Sequence, residues 1–369
     1  MIRKIFPFVF SVFAILILCN CDGFKLPEKL FETSARERYE KDFSDSDEVL
    51  KQWKINYSSA LQSNLKIKDG TAFNFVNDSL KLNAVGYLIE LKRGDLLIIE
   101  TDNLSPENKI FVDIFPETAN TENLKSQLTE GGKAQKIIEQ EGFHRVVIQP
   151  EIALNKNFSI KMYTQPSLGF PVAGKGNRDV QSFWGASRDG GGRSHEGVDI
   201  FAKRGTPLVA VTDGFVSRTG NQGLGGKQVW LRDGLLGNSF YYAHLDSIMT
   251  TDGKKIKKGD TLGTVGNTGN AAGGATHLHF GIYTSGGAVD PYPFIRKREI
   301  PSHLSASNDF KKTKLKSGSE IKISPDSKSE TILSLKEETE VQVKSVFTNW
   351  VHIKLSDGTE AFVLKTRFK

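Results

Sequence analysis

Apolar and polar residues alternate over short runs along this chain, and the period of two recurs in separate stretches. Between Ala72 and Met162 the runs are Tyr87–Leu91, Leu96–Glu100, Lys109–Ile114, Arg145–Gln149 and Phe158–Met162. Residues two apart on a strand share a face, so each run reads as a strand with one side turned to a core. Turn sequences such as Lys92-Arg-Gly-Asp95 and Ser105-Pro-Glu107 separate them, which predicts a β-sandwich-like domain over residues 66–165. Between 170 and 297, turns recur at Thr212-Asp-Gly214, Gly223-Leu-Gly-Gly226, Asp252-Gly253 and Gly259-Asp260, with apolar strands between them and no helical period. After a basic, Ser/Lys-rich linker at 298–316, residues 317–369 alternate again through Glu320–Ile323, Thr331–Leu335, Glu340–Val343, Trp350–Lys354 and Glu360–Val363, with Asp357-Gly358 as a hairpin turn. That segment predicts a small C-terminal β-barrel. Residues 21–65 are polar with spaced apolar positions (Leu30, Phe31, Leu50, Trp53, Ile55), a tether with one or two short helices, and Ser44 and Asp45 are candidate caps for the second. The expected fold class is mainly β.

At 369 residues the chain is long enough for more than one domain. Its net charge of +6 and pI of about 9.0 suit a partner carrying carboxylates or phosphates. Lys and Glu are interspersed, and no dense basic run or base-stacking motif is present, so nucleic acid is not expected as a partner. Arg3 and Lys4 precede an apolar run, Ile5 to Leu18, that is too short to span a bilayer comfortably and has the proportions of a secretory signal. The run ends in Leu18-Cys19-Asn20-Cys21-Asp22, which resembles a bacterial lipoprotein signal. The resemblance implies that residues 1–20 are removed and Cys21 is acylated, because Leu18 then takes the apolar position three residues upstream. An ordinary cleaved signal peptide is the alternative. The expected location is the cell envelope, outside the cytoplasm, with a lipid anchor in the membrane. Cys19 would leave with the signal, so no cysteine remains to pair with Cys21 and folding must rest on core burial.

Four of the seven histidines lie in three short segments: Ser194-His-Glu-Gly-Val-Asp-Ile200, Tyr241-Tyr-Ala-His-Leu245 and Thr276-His-Leu-His-Phe280. With Asp199 they supply the residue types of a catalytic zinc site, which needs three nitrogen or oxygen ligands, an open position for water, and acid/base groups beside it. In a fully extended strand His195 and Asp199 would lie ~13 Å apart, too far for one metal, so the chain must turn between them, and Gly197 tolerates the dihedrals a turn needs. Gly197, Val198 and Ile200 make a helix poor here, which also argues against a helical His-Glu-x-x-His site starting at His195. On a strand His277 and His279 share a face while Leu278 points to the core; one can ligate the metal while the other stands over the bound water. His244 follows strand-like sequence and can face the same water.

His195-x-x-x-Asp199, Tyr242-Ala-His244-Leu245 and His277-Leu-His279 resemble the three motifs of the lysostaphin-type zinc metallopeptidases that cut peptidoglycan. Gly197-Val-Asp-Ile200, Gly205-Thr-Pro-Leu208, Ala210-Val-Thr-Asp-Gly214, Gly259-Asp-Thr-Leu-Gly263 and Asp290-Pro291 extend the likeness. One departure is Ala275-Thr276, where the family commonly has a Gly-Pro pair. The resemblance implies a β-rich peptidase domain over 170–297, with one zinc per chain held by His195, Asp199 and His279. It makes His244 and His277 the catalytic residues acting on the attacking water and the tetrahedral intermediate, and peptidoglycan the substrate. The 317–369 segment, through Asn349 to Val363, resembles the bacterial Src-homology-three-type domains appended to wall enzymes. Two other functions are compatible with the motifs: a catalytically silent wall-binding regulator of other hydrolases, and a zinc protease acting on secreted proteins.

The run Arg188-Asp-Gly-Gly-Gly-Arg193 is read as a solvated rim loop whose arginines are candidates to meet peptide carboxylates. Tyr242 is either a donor to the scissile carbonyl or a packed strand aromatic. Glu196 is placed in solvent or at the cleft edge, and the lone His144, His303 and His352 are read as surface or structural.

Overall fold

The computed structural model describes residues 34–44, 46–77, 82–119, 126–129, 132–233, 237–302 and 310–369. The fold is mainly β. The signal segment, Cys21, Asp45 and His303 lie outside the described residues. No described helix is long and apolar enough to cross a membrane.

Two helices open the described chain. Ser34 and Glu37 cap Ala35–Glu40 reciprocally. The expected cap of the second helix is displaced: Asp47, not Ser44, accepts from the N–H groups of Val49 and Leu50 and starts Glu48–Leu61. Nor do these helices hang as a tether. Trp53 is buried and donates its indole N–H to the Pro150 carbonyl, while Arg36 pairs with Asp113 at 3.0 Å beneath Tyr57. A buried charge is stable only when paired and hydrogen-bonded, so this contact fastens the helices to the sheet below.

That sheet has five strands and includes Val85–Leu91, Gly142–Pro150 and Ile110–Pro116. It packs through Val85, Tyr87, Ile89 and Val146 against a second sheet carrying Phe73, Phe75, Leu97 and Ile160. The sandwich expected from the alternating runs is present.

The second sheet holds nine strands, and five of them come from the far end of the chain. Residues 317–369 have a core of their own around Ile321, Val343, Ile353 and Val363. They do not stand apart from the sandwich, as a separate barrel would. The Gln342–Val346 strand pairs with Thr71–Phe75, and Phe347, Trp350 and Phe362 enter the sandwich core. The Tyr87 hydroxyl meets Ser345 Oγ at 2.7 Å and His352 Nδ1 at 2.9 Å, so His352 is a buried structural residue. Alternation reveals strands but not their partners, which is why the continuity is invisible in sequence.

Between these two halves lies the histidine-bearing segment. Its main sheet runs in the order Val180–Ser182, Val198–Phe201, His277–Thr284, Ser239–Ala243, Gly226–Arg232, Gly214–Gln222 and Lys255–Ile256. A three-stranded sheet of Pro207–Val209, Thr261–Val265 and Leu245–Ile248 closes the core around Leu208, Leu262, Leu278 and Phe280. Phe294 seats this segment on the sandwich: a Cβ at Gly94 would come within 2.6 Å of its ring, so only glycine fits there.

Because Phe362 is fully buried in the shared core, Phe362→Ala is expected to lower stability by about 3–5 kcal/mol. It should also speed hydrogen exchange in Thr71–Phe75. Unchanged exchange in that strand would show that the C-terminal strands and the sandwich unfold independently.

Candidate metal centre and active site

Three antiparallel strands build the floor of the site. In register, Asp199 lies opposite His279 on one side, and Ala243 lies opposite His279 on the other. Alternation along His277–Thr284 puts His277, His279, Gly281 and Tyr283 on one face, while Leu278, Phe280 and Ile282 are buried on the other. Asp199 and His279 therefore meet above the sheet with their backbones held by the core beneath it.

His195 arrives from outside this sheet. The short ribbon of Ser187–Arg188 and Arg193–Ser194 delivers it, and the chain bends at Gly197 before entering Val198–Phe201. Glycine is required at 197 for room, not for unusual dihedrals as the sequence reading supposed. A Cβ there would lie 2.6 Å from His279 Cε1 and 2.7 Å from the Phe280 carbonyl oxygen.

His195 Nε2 is 3.0 Å from Asp199 Oδ1 and 3.0 Å from His279 Nδ1, and His279 Nδ1 is 3.1 Å from Asp199 Oδ1. Among the described residues this is the one such group placed to hold a metal ion. Its hydrogen bonding fits a cation. The Phe183 carbonyl accepts a hydrogen bond from His195 Nδ1 at 2.9 Å, so in the neutral ring Nε2, the nitrogen that faces Asp199 Oδ1 and His279 Nδ1, is the one open to a metal. Burial pushes the Asp199 carboxyl up, but hydrogen bonds and charge from His195 and His279 more than reverse this and hold it well below the usual carboxylate range. Burial lowers the His279 pKa. A neutral imidazole and an ionised carboxylate are the forms that ligate a metal.

His244 and His277 complete the ring of histidines. His244 sits at φ +64°, a left-handed backbone that a non-glycine residue seldom adopts. Two loops hold it there: its N–H donates to the Gly225 carbonyl at 2.8 Å, and its Nδ1 to the Thr268 carbonyl at 2.8 Å. The loops interlock closely, since a Cβ on Gly226 would lie 2.3 Å from the Gly269 nitrogen. Burial takes the His244 pKa down to about 4, so the imidazole is neutral at neutral pH. His277 donates Nδ1–H to the Ala275 carbonyl at 2.9 Å, stacks on Phe201, and brings Nε2 to 4.0 Å from Asp199 Oδ1. Ring centroids of His244 and His277 are 5.1 Å apart. Both keep Nε2 clear of protein carbonyls, on the side of a cleft of about 450 Å³ that all five residues line.

Other expectations divide. Tyr242 is fully buried, its hydroxyl bonded to the backbone of Val209 and Val211, so it is a packed strand aromatic and no donor to substrate. Its neighbour Tyr241 instead faces the cleft, its ring centroid 5.8 Å from that of His279 in an edge-to-face arrangement. Alternation counted back from His244 would have favoured Tyr242; the left-handed backbone at His244 breaks that count, and Tyr241 shares its face with Ala243, the partner of His279. Glu196 stands exposed at the cleft edge, as expected. Arg188 is no solvated rim residue, for its Nη2 donates to Asp199 Oδ2 at 2.6 Å. His144 is buried within the Gly142–Pro150 strand and is structural.

Residues 193–291, which contain all five site residues, match the model of Peptidase family M23. This segment is similar to the peptidases of family M23. The L-Ala–D-Glu endopeptidase of Bacillus subtilis (strain 168) is 34% identical over 155 residues, covering 38% of this chain and 47% of that protein. The peptidoglycan DD-endopeptidase ShyC of Vibrio cholerae is 32% identical over 123 residues, 33% of this chain and 26% of its own length. The glycyl-glycine endopeptidase ALE-1 of Staphylococcus capitis is 33% identical over 126 residues, with coverage of 32% and 33%. The chain spans less than half the length of each of these three relatives.

Gly197→Ala tests the crowding in the M23-like segment. It is expected to retain the β fold by circular dichroism but to bind zinc roughly 10-fold or more weakly, as His279 is pushed aside. Wild-type zinc affinity in this variant would show that the His279 ring is not confined by Gly197.

Proposed function

We propose that this protein is a zinc-dependent endopeptidase that hydrolyses peptide cross-links in peptidoglycan, held in the cell envelope by a lipid on Cys21. The observation that carries the enzymatic reading is the convergence of His195, Asp199 and His279 beneath a cleft that also presents His244 and His277. The names of the three relatives support the substrate class, since each denotes an endopeptidase and their bonds differ: L-Ala–D-Glu, DD and glycyl-glycine. Removal of residues 1–20 takes Arg3 and Lys4 and lowers the net charge from +6 to +4, which still suits a wall peptide with free carboxylates.

His195, Asp199 and His279 would hold the metal through the three atoms that already face one another. When bound, zinc supplies a Lewis acid for the scissile carbonyl and lowers the pKa of its water toward about 7. His244 is neutral and fixed through Nδ1, so its open Nε2 can accept a proton on the cleft side. His277 is fixed in the same manner through Ala275, and with a proton on Nε2, as the imidazolium, it can donate a hydrogen bond to the developing oxyanion. Fixed imidazoles need no reorganisation during reaction, which is where a preorganised site gains its rate.

The Cys21 anchor is supported by sequence alone, from the basic start, the apolar run and Leu18 three residues upstream. The likeness of 317–369 to Src-homology-three-type domains belongs to the same reading. Wall contact by that unit would use its outer face, since Phe347, Trp350 and Phe362 are committed to the sandwich.

Purified residues 22–369 should carry about one zinc per chain, one set of three ligands being present. Asp199→Ala and His279→Ala should lose the metal, whereas His277→Ala should keep most of it and lose activity. Mass spectrometry of products from purified sacculi reads activity and bond type together. Intact cross-links after digestion with the zinc-loaded wild type would end the peptidoglycan reading. Separately, Cys21→Ser should abolish incorporation of labelled fatty acid. Loss in Cys19→Ser instead would move the anchor two residues upstream.

A further inference from the structure

Arg188 lies outside the five motif residues and touches their outer side. Its Nη2 donates to Asp199 Oδ2 at 2.6 Å and to Ser182 Oγ at 2.7 Å. Ser182 is the register partner of Asp199 on the neighbouring strand, and its hydroxyl is also 3.4 Å from His195 Nδ1. Arg188 itself sits on the ribbon strand that pairs, Arg188 to Arg193 and Ser187 to Ser194, with the strand leading into His195. The His195 N–H closes the same ribbon on the Ala186 carbonyl at 2.9 Å. One guanidinium therefore ties together the two segments that carry His195 and Asp199.

The two oxygens of Asp199 face different ways as a result. Oδ1 is the atom within 3.1 Å of both imidazoles, and Oδ2 is occupied by Arg188. A carboxylate so divided presents one oxygen to the metal position and cannot swing to present both. We propose that Arg188 is a positioning residue of the metal centre, which fixes Asp199 as a one-oxygen ligand and holds the His195 ribbon against it. The inference rests on the reading that His195, Asp199 and His279 bind a metal. Two effects of Arg188 oppose each other here. Its positive charge repels a cation, while its planar fork orients the anionic ligand. With 30% of its side chain exposed, the charge is screened by solvent, so orientation prevails.

The test uses the full mature chain loaded with Co(II), whose visible absorption reports ligand arrangement without any turnover, together with zinc affinity from chelator competition. Arg188→Ala is expected to bind zinc about 10–100-fold more weakly and to change the Co(II) bands. Arg188→Lys, which retains the charge but not the flat fork, should recover only part of both. Unchanged or tighter zinc binding in Arg188→Ala, or complete recovery in Arg188→Lys, would overturn the positioning role, because charge alone would then account for Arg188. A wild type that binds no cobalt would remove the metal-centre reading itself and the inference with it. If Arg188→Ala does not fold by circular dichroism, Ser182→Ala loosens the same guanidinium without deleting it. A smaller shift of the Co(II) bands in that variant supports the proposal, and identical bands overturn it.

Discussion

Asp199 and His279 stand opposite each other on adjacent antiparallel strands, and nothing else in the site could be assembled if that register slipped. A shift of one residue turns every side chain to the other face of a strand. Leu278 and Phe280 would then leave the core, and His279 would enter it. Burying Leu278, Phe280 and Ile200 fully on the inner face is what fixes the polar set on the outer one. The hydrophobic effect, which has no direction of its own, is converted by the pleat into a placement good to a fraction of a residue. The convergence of Asp199 and His279 is thus a by-product of core packing on the far side of the sheet.

Placement alone would leave the imidazoles free to rotate and to protonate on either nitrogen. Backbone carbonyls remove that freedom at His195, His244 and His277, where Phe183, Thr268 and Ala275 each accept a hydrogen bond from Nδ1–H. Each carbonyl belongs to a loop or strand end, so the loops select the tautomer while the sheet selects the face. His244 carries the heaviest share of this arrangement. Its left-handed backbone costs energy that the Gly225 and Thr268 carbonyls offset, and those two loops can approach only because Gly226 and Gly269 lack side chains.

Much of this was legible in the residues themselves. The strands around Tyr87, Leu96, Arg145 and Phe158 fall where period-two alternation puts them, and the structure brings His195, Asp199, His244, His277 and His279 to one cleft. What sequence could not resolve was contact between segments distant in the chain. Gly197 looked like a residue needed for its dihedrals, yet its neighbour is an imidazole more than eighty positions away. Tyr241 and Tyr242 are equivalent as a pair in sequence, and only the register with Phe280 and Gly281 sends the first to the cleft and the second to the core. Arg188 seemed a rim residue because glycines follow it, while its partners Ser182 and Asp199 lie on two paired strands of the main sheet.

The C-terminal strands show the same limit at the scale of domains, and they alter how the molecule is held together. Because Gln342–Val346 pairs with Thr71–Phe75, the regions before and after the M23 segment form one body, and that segment is inserted into it. An inserted domain is joined at two points. Here both are pinned: the Leu168 N–H donates to the Phe294 carbonyl at 3.0 Å, and Arg298 pairs with Asp95 at 2.6 Å and with Thr164. A domain on one flexible linker samples orientations freely, whereas two adjacent, hydrogen-bonded crossings and an aromatic plug on Gly94 leave little rotation. The two crossings and the Phe294 ring together hold the histidine-bearing segment in a fixed orientation on the sandwich.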